Sequence, residues 1–119
     1  MIAVLSAVIY EVNLAIDAAI SVEYRSWLDG HVEEILALPG FIEARILDVL
    51  EPTPAPGEVA LCVHYTLRDR AALDTYLREH APRLRGEAAA RFGERFRAQR
   101  RVLHAWKRLR VALPDGAAE

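Results

Sequence analysis

The order in which apolar side chains change their spacing along the chain constrains the fold more than any other feature of the sequence. Over residues 8–16, large apolar or aromatic side chains at the even positions alternate with a mixed set at the odd positions. This two-residue period is typical of a β-strand. Over 20–38, apolar side chains recur every three or four residues, which predicts a helix with one apolar face. Asp17 or Ser21 can cap the start of this helix, because either side-chain oxygen accepts a hydrogen bond from a free backbone N–H group.

The rest of the chain repeats this alternation of strands and helices. Pro39 and Gly40 end the first helix, since proline cannot continue the hydrogen-bond ladder and glycine permits the turn. Asp69 can cap a second helix, which Pro82 should bend or interrupt. The further predicted elements are a strand over 41–50, a proline-rich loop over 52–57, a strand over 59–67, a short helical continuation over 87–92 and a strand over 101–109.

The resulting order, β-α-β-β-α-β, leaves one simple topology. Right-handed crossovers turn it into a four-stranded antiparallel sheet with two helices on one face, an α+β ferredoxin-like sandwich. The other face of the sheet then carries a mixture that is too apolar for free solvent and too polar for a dry core, namely Ile9, Glu11, Asn13, Cys62, His64 and Thr66. A homodimer that packs two sheets together would cover this face, which predicts a dimeric α+β barrel.

Length and composition predict one soluble domain. The chain has 119 residues, 53% of them hydrophobic and 27% charged, which excludes a disordered protein. We expect a core over about 8–110, a leader over 1–6 and a loose tail over 112–119. No lysine or arginine precedes Arg25 and the first apolar run is short, so neither a secretory signal nor a membrane span is predicted. Cys62 is alone, which excludes an intrachain disulfide and favours the cytoplasm.

The charges are divided unevenly along the chain. Residues 1–66 hold 2 basic and 10 acidic side chains, whereas 83–110 hold 10 basic and 2 acidic ones. Guanidinium groups bind carboxylates and phosphates, so the arginine-rich part is a candidate anion site. Its cluster consists of Arg83, Arg85, Arg91, Arg95, Arg97, Arg100 and Arg101, of which the first four are the first candidates. The alternative is that these arginines form ion pairs with the acidic first helix. The pI of about 6.1 argues against a nucleic-acid partner.

Several short motifs resemble a known family. They are Tyr10-Glu11-Val12-Asn13, Trp27-Leu28 with His31-Val32, Leu38-Pro39-Gly40-Phe41, His80-Ala81-Pro82, Arg91-Phe92-Gly93-Glu94-Arg95-Phe96 and Arg100-Arg101-Val102-Leu103. Together, over about 8–108, they resemble the small bacterial family called domain of unknown function 4286. The stretch from the tryptophan to the Pro-Gly-Phe turn is similar, more distantly, to the dimeric α+β-barrel superfamily, which includes antibiotic-biosynthesis-type monooxygenases. The resemblance implies the fold and a dimer, but it supplies no activity.

Two groups of side chains are candidates for chemistry. His31, one turn after Trp27, is either a ligand-binding or acid/base group in a cleft between helix and sheet, or a hydrogen-bonded core histidine. Glu11 and His64 lie on strands that should be neighbours. They form either an acid/base pair or a polar network inside a dimer interface. The candidate ligand-binding residues are Trp27, His31, Asn13 and Tyr65.

No cofactor or metal is expected from the sequence. His31 and Glu34 stand three residues apart, but two ligands do not make a metal site. The dimeric α+β-barrel superfamily also includes haem-degrading proteins, and similarity to them would assign His31 as an iron ligand. The asparagine that accompanies this histidine in those proteins is not evident near the first helix of this chain. Two functions remain. The first is a small-ligand-binding or regulatory protein that takes a small apolar or aromatic ligand. The second is a cofactor-independent monooxygenase or isomerase resembling the antibiotic-biosynthesis-type enzymes.

Overall fold

Four strands and three α-helices follow one another in the computed structural model, which describes residues 7–112. The predicted leader over 1–6 and the part of the predicted tail from 113 onward lie outside the described residues. One-turn 3-10 helices precede α1 and β4, at Ala18–Ile20 and Gly93–Arg95. The main elements are β1 (Val8–Asp17), α1 (Ser21–Leu36), β2 (Phe41–Asp48), β3 (Glu58–Leu67), α2 (Arg70–Glu79), α3 (Ala81–Phe92) and β4 (Phe96–His104).

The strands form one sheet in the order β2-β3-β1-β4, and every neighbouring pair is antiparallel. This confirms the predicted ferredoxin-like α+β fold. The register places Tyr10 opposite Tyr65, and it places Glu11 opposite His64 on one side and Arg101 on the other. Because paired residues of an antiparallel sheet point to the same face, this register decides which side chains can form a site.

The helices cover one face of the sheet and leave the other open. Even-numbered side chains of β1 and odd-numbered ones of β3 are buried with the helices in one core, where Ile16, Leu61 and Leu67 are almost fully inaccessible. Leu28 of α1 and Leu84 of α3 complete this core from the helix side. The alternate side chains of the strands point to the open face, which holds the predicted mixture of polar and apolar groups.

Three predicted features of the helix ends are found in the structure: the cap at Asp69, the cap at Asp17 and the interruption at Pro82. The carboxylate of Asp69 accepts a hydrogen bond from the backbone N–H of Ala72 and so caps α2. Asp17 caps the 3-10 turn before α1 through the N–H of Ala19. Pro82 does interrupt the second helix, because a new helix, α3, begins at Ala81 with the proline in its first turn.

Two predicted boundaries were wrong. The helix α3 spans 12 residues and not only 87–92, since proline is well tolerated at a helix start and Leu84, Ala88 and Phe92 then share one buried face. The last strand is Phe96–His104 and not 101–109. It is earlier because Phe96 pairs with Ile16 of β1 and packs against the core, whereas 105–112 has no regular structure.

Candidate functional site

A cavity of about 70 Å³ lies between the sheet and the helices and is partly open to solvent. Side chains from all three α-helices and from strands β1, β3 and β4 line it, so it depends on the whole fold. Its volume is about a quarter of the roughly 300 Å³ at which ligand pockets commonly begin. Its aromatic and polar lining, with one small residue of α3, consists of Tyr10, Tyr24, Trp27, His31, Tyr65, Tyr76, Arg85, Phe96, Arg100 and Ala88.

The helix side of the cavity is formed by a ring pair on α1. Trp27 and His31 lie one helical turn apart and stack, with ring centroids 4.4 Å apart and planes inclined by 22°. Burial lowers the pKa of His31, although the negative charges of Glu34 and Glu87 act in the opposite direction. The imidazole is therefore neutral at neutral pH, and a neutral imidazole can accept a proton.

Four tyrosines line the cavity, two from the sheet (Tyr10 and Tyr65) and two from the helices (Tyr24 and Tyr76). The ring of Tyr10 lies 6.0 Å from that of Tyr65 and 5.9 Å from that of Tyr76. The guanidinium of Arg85 donates a hydrogen bond of 2.8 Å to the Tyr10 hydroxyl. Tyr24, Tyr65 and Tyr76 are all at most 5% exposed, yet within residues 7–112 no group makes a hydrogen bond to their hydroxyls.

Burial also fixes the protonation of these phenols. It raises the pKa of Tyr24 and Tyr76 to about 12 and raises the pKa of Tyr65 strongly, although the positive charge of Arg100 opposes the rise in all three. Each phenol therefore keeps its proton at neutral pH and can donate it in a hydrogen bond.

A second polar cluster lies on the open face of the sheet, around Glu11. This residue is 4% exposed, and its carboxylate accepts hydrogen bonds from Arg101 Nε, Asn13 Nδ2 (2.7 Å) and His64 Nε2 (2.8 Å). The Nε contact to Arg101 is 2.6 Å, and Nη2 of the same guanidinium adds a contact of 3.2 Å. The hydrogen bond from Arg101 is the main reason that the pKa of Glu11 falls to about 2, against the opposing effect of burial.

The same cluster has the donor types of a metal site, but its electrostatics disfavour a cation. One ligand atom each of Glu11, Cys62 and His64 lies within 4.8 Å of the others. Burial, and then the charge of Glu11, raise the pKa of Cys62, so the thiol stays protonated. The guanidinium of Arg101 already neutralises the carboxylate. That no metal binds here stays a prediction.

The sheet separates two groups of candidate residues that the sequence had put in one set. Trp27, His31 and Tyr65 do line the cavity together. Asn13 lies on the other face, where it donates to Glu11, and is therefore not a cavity residue. The predicted proximity of Glu11 and His64 is confirmed by their 2.8 Å contact.

The candidate anion-binding arginines also separate. Arg83 pairs with Glu34 and Glu87, Arg91 with Glu23, and Arg95, more loosely at 3.9 Å, with Asp17. Of the four predicted candidates, only Arg85 lines the cavity.

Sequence reasoning missed several residues of the cavity. They are Tyr10, Tyr24 and Tyr76. The sequence places Arg100 and Arg101 only in the arginine cluster and does not link the first to the cavity or the second to Glu11. A signal for the last two was present, since alternation counted from Phe96 puts Arg100 on the helix side and Arg101 on the open face.

The fold and parts of the sequence have known counterparts. The model of the family described as domain of unknown function DUF4286 matches residues 7–106. A search of curated proteins finds no match. No α-helix in the described part of the chain has the length and apolar composition needed to cross a membrane.

Several solved structures are similar in backbone. A protein from Deinococcus radiodurans, described as a "putative antibiotic biosynthesis monooxygenase", is 14% identical, with a TM-score of 0.67 over 88% of this chain and 98% of that one. SnoaB from Streptomyces nogalater, a cofactor-independent oxygenase, is 15% identical, with a TM-score of 0.59 over 92% and 99%. A dimeric ferredoxin-like protein from an uncultured marine organism is 11% identical, with a TM-score of 0.54 over 87% and 99%. At these identities the likeness shows the fold alone.

Proposed function

The chain belongs to the family described as domain of unknown function DUF4286, and we propose that it is a small-ligand-binding or regulatory protein whose ligand enters the cavity between the sheet and α1. The observation that carries this proposal is the cavity itself, whose lining includes tyrosine hydroxyls that have no hydrogen-bond partner among residues 7–112. Polar groups that lack a protein partner normally bind water, so these hydroxyls are available to water or to ligand atoms. The volume of about 70 Å³ limits what can be enclosed to a few heavy atoms.

A variant that fills the cavity tests the proposal. Ala88 of α3 is buried against the cavity, whereas Ala90 of the same helix is exposed. We expect small apolar and aromatic compounds to raise the melting temperature of the parent protein and of Ala90→Leu but not of Ala88→Leu. The proposal fails if no compound shifts the melting temperature of the parent, or if Ala88→Leu responds as strongly as Ala90→Leu.

A cofactor-independent monooxygenase is the second candidate, favoured by the neutral imidazole of His31 inside the cavity. Such chemistry would begin with removal of a proton from the substrate by this base. SnoaB, described as a cofactor-independent oxygenase, shares the backbone fold. The measurement is oxygen consumption with planar phenols and no added cofactor. Oxygen consumption that His31→Gln abolishes would show the monooxygenase function in place of ligand binding alone. No oxygen consumption over a panel of phenols would contradict the monooxygenase function.

We also propose that the protein is a homodimer that joins the open faces of two sheets, and that it is cytoplasmic. The nearly buried carboxylate of Glu11 and the half-buried Ile9 on that face support this assembly, and one structure with this fold is described as dimeric. The single, buried Cys62 suits a reducing compartment.

Light scattering tests the dimer. We expect about 27 kDa, twice the chain mass of 13.3 kDa. Ile9→Glu should give a monomer. Val22→Glu, a matched change at an 84% exposed position on α1, should stay dimeric. A parent protein that elutes and scatters as a monomer would contradict the proposal.

A further inference from the structure

We propose that the ligand of the cavity is a small organic acid, whose carboxylate lies at the mouth between Arg85 and Arg100 and whose apolar body lies against the aromatic lining. This inference rests on the proposed function, because it names the chemical class of the ligand for the same cavity. It depends on the charge of the lining, the free hydrogen-bond donors and the volume.

The lining of the cavity is positively charged. Among the described residues, it includes two guanidinium groups and no carboxylate. Both Arg85 and Arg100 are exposed, so they stand where the cavity meets solvent. An anion entering the cavity would therefore pass cations and meet no negative side chain of the lining.

These two arginines differ from their neighbours in sequence. Arg83, Arg91 and Arg97 each have a carboxylate within 3.2 Å. Within the described residues, neither Arg85 nor Arg100 has a carboxylate partner, and the hydrogen bond of Arg85 goes to the uncharged hydroxyl of Tyr10. In a chain whose arginines mostly pair with acids, the two that line the cavity remain available for an anionic ligand.

The tyrosines supply hydrogen-bond donors that suit a carboxylate ligand. Tyr65 and Tyr76 are more than nine-tenths buried, line the cavity and have no hydrogen-bond partner among residues 7–112. A phenol that keeps its proton donates to a carboxylate oxygen, and hydrogen bonds to ionised acceptors are stronger than those to neutral ones. A cationic ligand would find no ionised acceptor among these groups.

The volume restricts the body of the acid. About 70 Å³ is roughly half of the 150 Å³ apolar cavity that holds a benzene ring. A branched four-carbon acid fits this space more closely than a ring does, and a ring can enter only with part of it in the open mouth. Isobutyrate is therefore the first probe, benzoate the second, and the corresponding amides are their uncharged counterparts.

Binding is measured by titration calorimetry and by the fluorescence of Trp27, in a Trp106→Phe background that leaves one tryptophan. We expect at least one acid to bind at least about tenfold more tightly than its amide, as the loss of a charge-assisted hydrogen bond implies. Arg85→Gln and Arg100→Gln should each weaken acid binding by about tenfold, with Arg100→Lys retaining part of it. Arg83→Gln, a paired arginine outside the lining, should leave it unchanged.

The outcomes separate the ligand class from the proposed function. If the amides bind as tightly as the acids, the cavity is a binding site and the acid class is wrong. If the doubly substituted Arg85→Gln, Arg100→Gln protein is folded by circular dichroism and binds the acid as the parent does, anion recognition at the mouth is wrong. If neither acids nor amides bind and no other compound shifts the melting temperature, both the class and the cavity's binding function are overturned.

Discussion

Replacing Glu11 by glutamine should destabilise the protein, and the loss should disappear in acid. The substitution keeps the size of the side chain and removes the charge that receives hydrogen bonds from Arg101, Asn13 and His64. The pKa of Glu11 falls from 4.5 to about 2 on folding. At about 1.4 kcal/mol per pKa unit, this corresponds to about 3 kcal/mol. Because the Arg101 side chain is two-thirds exposed and water screens it, we expect about 1–3 kcal/mol at pH 7.

The pH dependence has a definite sign. Since the native pKa of Glu11 is lower than the unfolded one, the ionised carboxylate contributes its full stability above pH 4.5 and loses it as the pH falls toward 2. The difference in the free energy of unfolding between the parent and Glu11→Gln should therefore narrow across this interval. Urea unfolding followed by far-UV circular dichroism, at one fixed protein concentration, measures it.

A matched variant separates this cluster from ordinary surface pairs. Glu58 also receives two hydrogen bonds from an arginine, Arg97, but its side chain is more exposed than that of Glu11. Glu58→Gln should therefore destabilise the protein clearly less than Glu11→Gln does. Equal losses for the two variants, or a loss for Glu11→Gln that stays constant from pH 7 to pH 2.5, would refute the reasoning.

Three further outcomes are expected. Gly40→Ala should lower the free energy of unfolding by about 2–4 kcal/mol, because Gly40 has φ +89° and a new Cβ would stand 2.5 Å from that of Ala72. Gly30→Ala, at an open position of α1, should instead raise the free energy of unfolding by about 0.5–1 kcal/mol. Urea unfolding measures both changes, and a change of the same sign in the two variants would contradict one of these predictions. Haem titration should give no sharp Soret shift, and a stoichiometric shift lost in His31→Ala would show otherwise. Short duplex DNA should bind weakly near physiological salt in fluorescence anisotropy, and submicromolar, strongly salt-dependent affinity would disprove this.

The fold was predictable from the sequence because its signals are local. The period of two in β1 and β3, the apolar face of α1 and the cap at Asp69 each depend on residues that are close together in the chain. The last strand was misplaced because its exposed positions carry arginines, so that the alternation starting at Phe96 is hard to see. Its true register is set by pairing with β1, which is a tertiary interaction.

The cavity and the Glu11 cluster were predictable only in part, because they too depend on tertiary interactions. Residues on neighbouring strands, such as Glu11 and His64, meet through topology and could be paired from it. The cavity also depends on how far α2 and α3 stand from the sheet, which no spacing pattern records. Tyr76 therefore had no signal that linked it to Trp27 and His31, although all three line one space.

The opposite charges of the two halves of the chain now have a physical explanation. Five of the ten acidic residues of the first half meet arginines of the second half within one molecule, as Glu34 does with Arg83 and Glu23 with Arg91. Exposed pairs of this kind add little stability, but each one occupies a guanidinium that would otherwise be available to an external anion. The pairing therefore reduces the attraction of nucleic acid to the arginine-rich part of the chain and restricts anion recognition to arginines that lack an acidic partner. Two of these line the cavity, so the same charge pattern that favours folding also favours an anionic ligand at that one site.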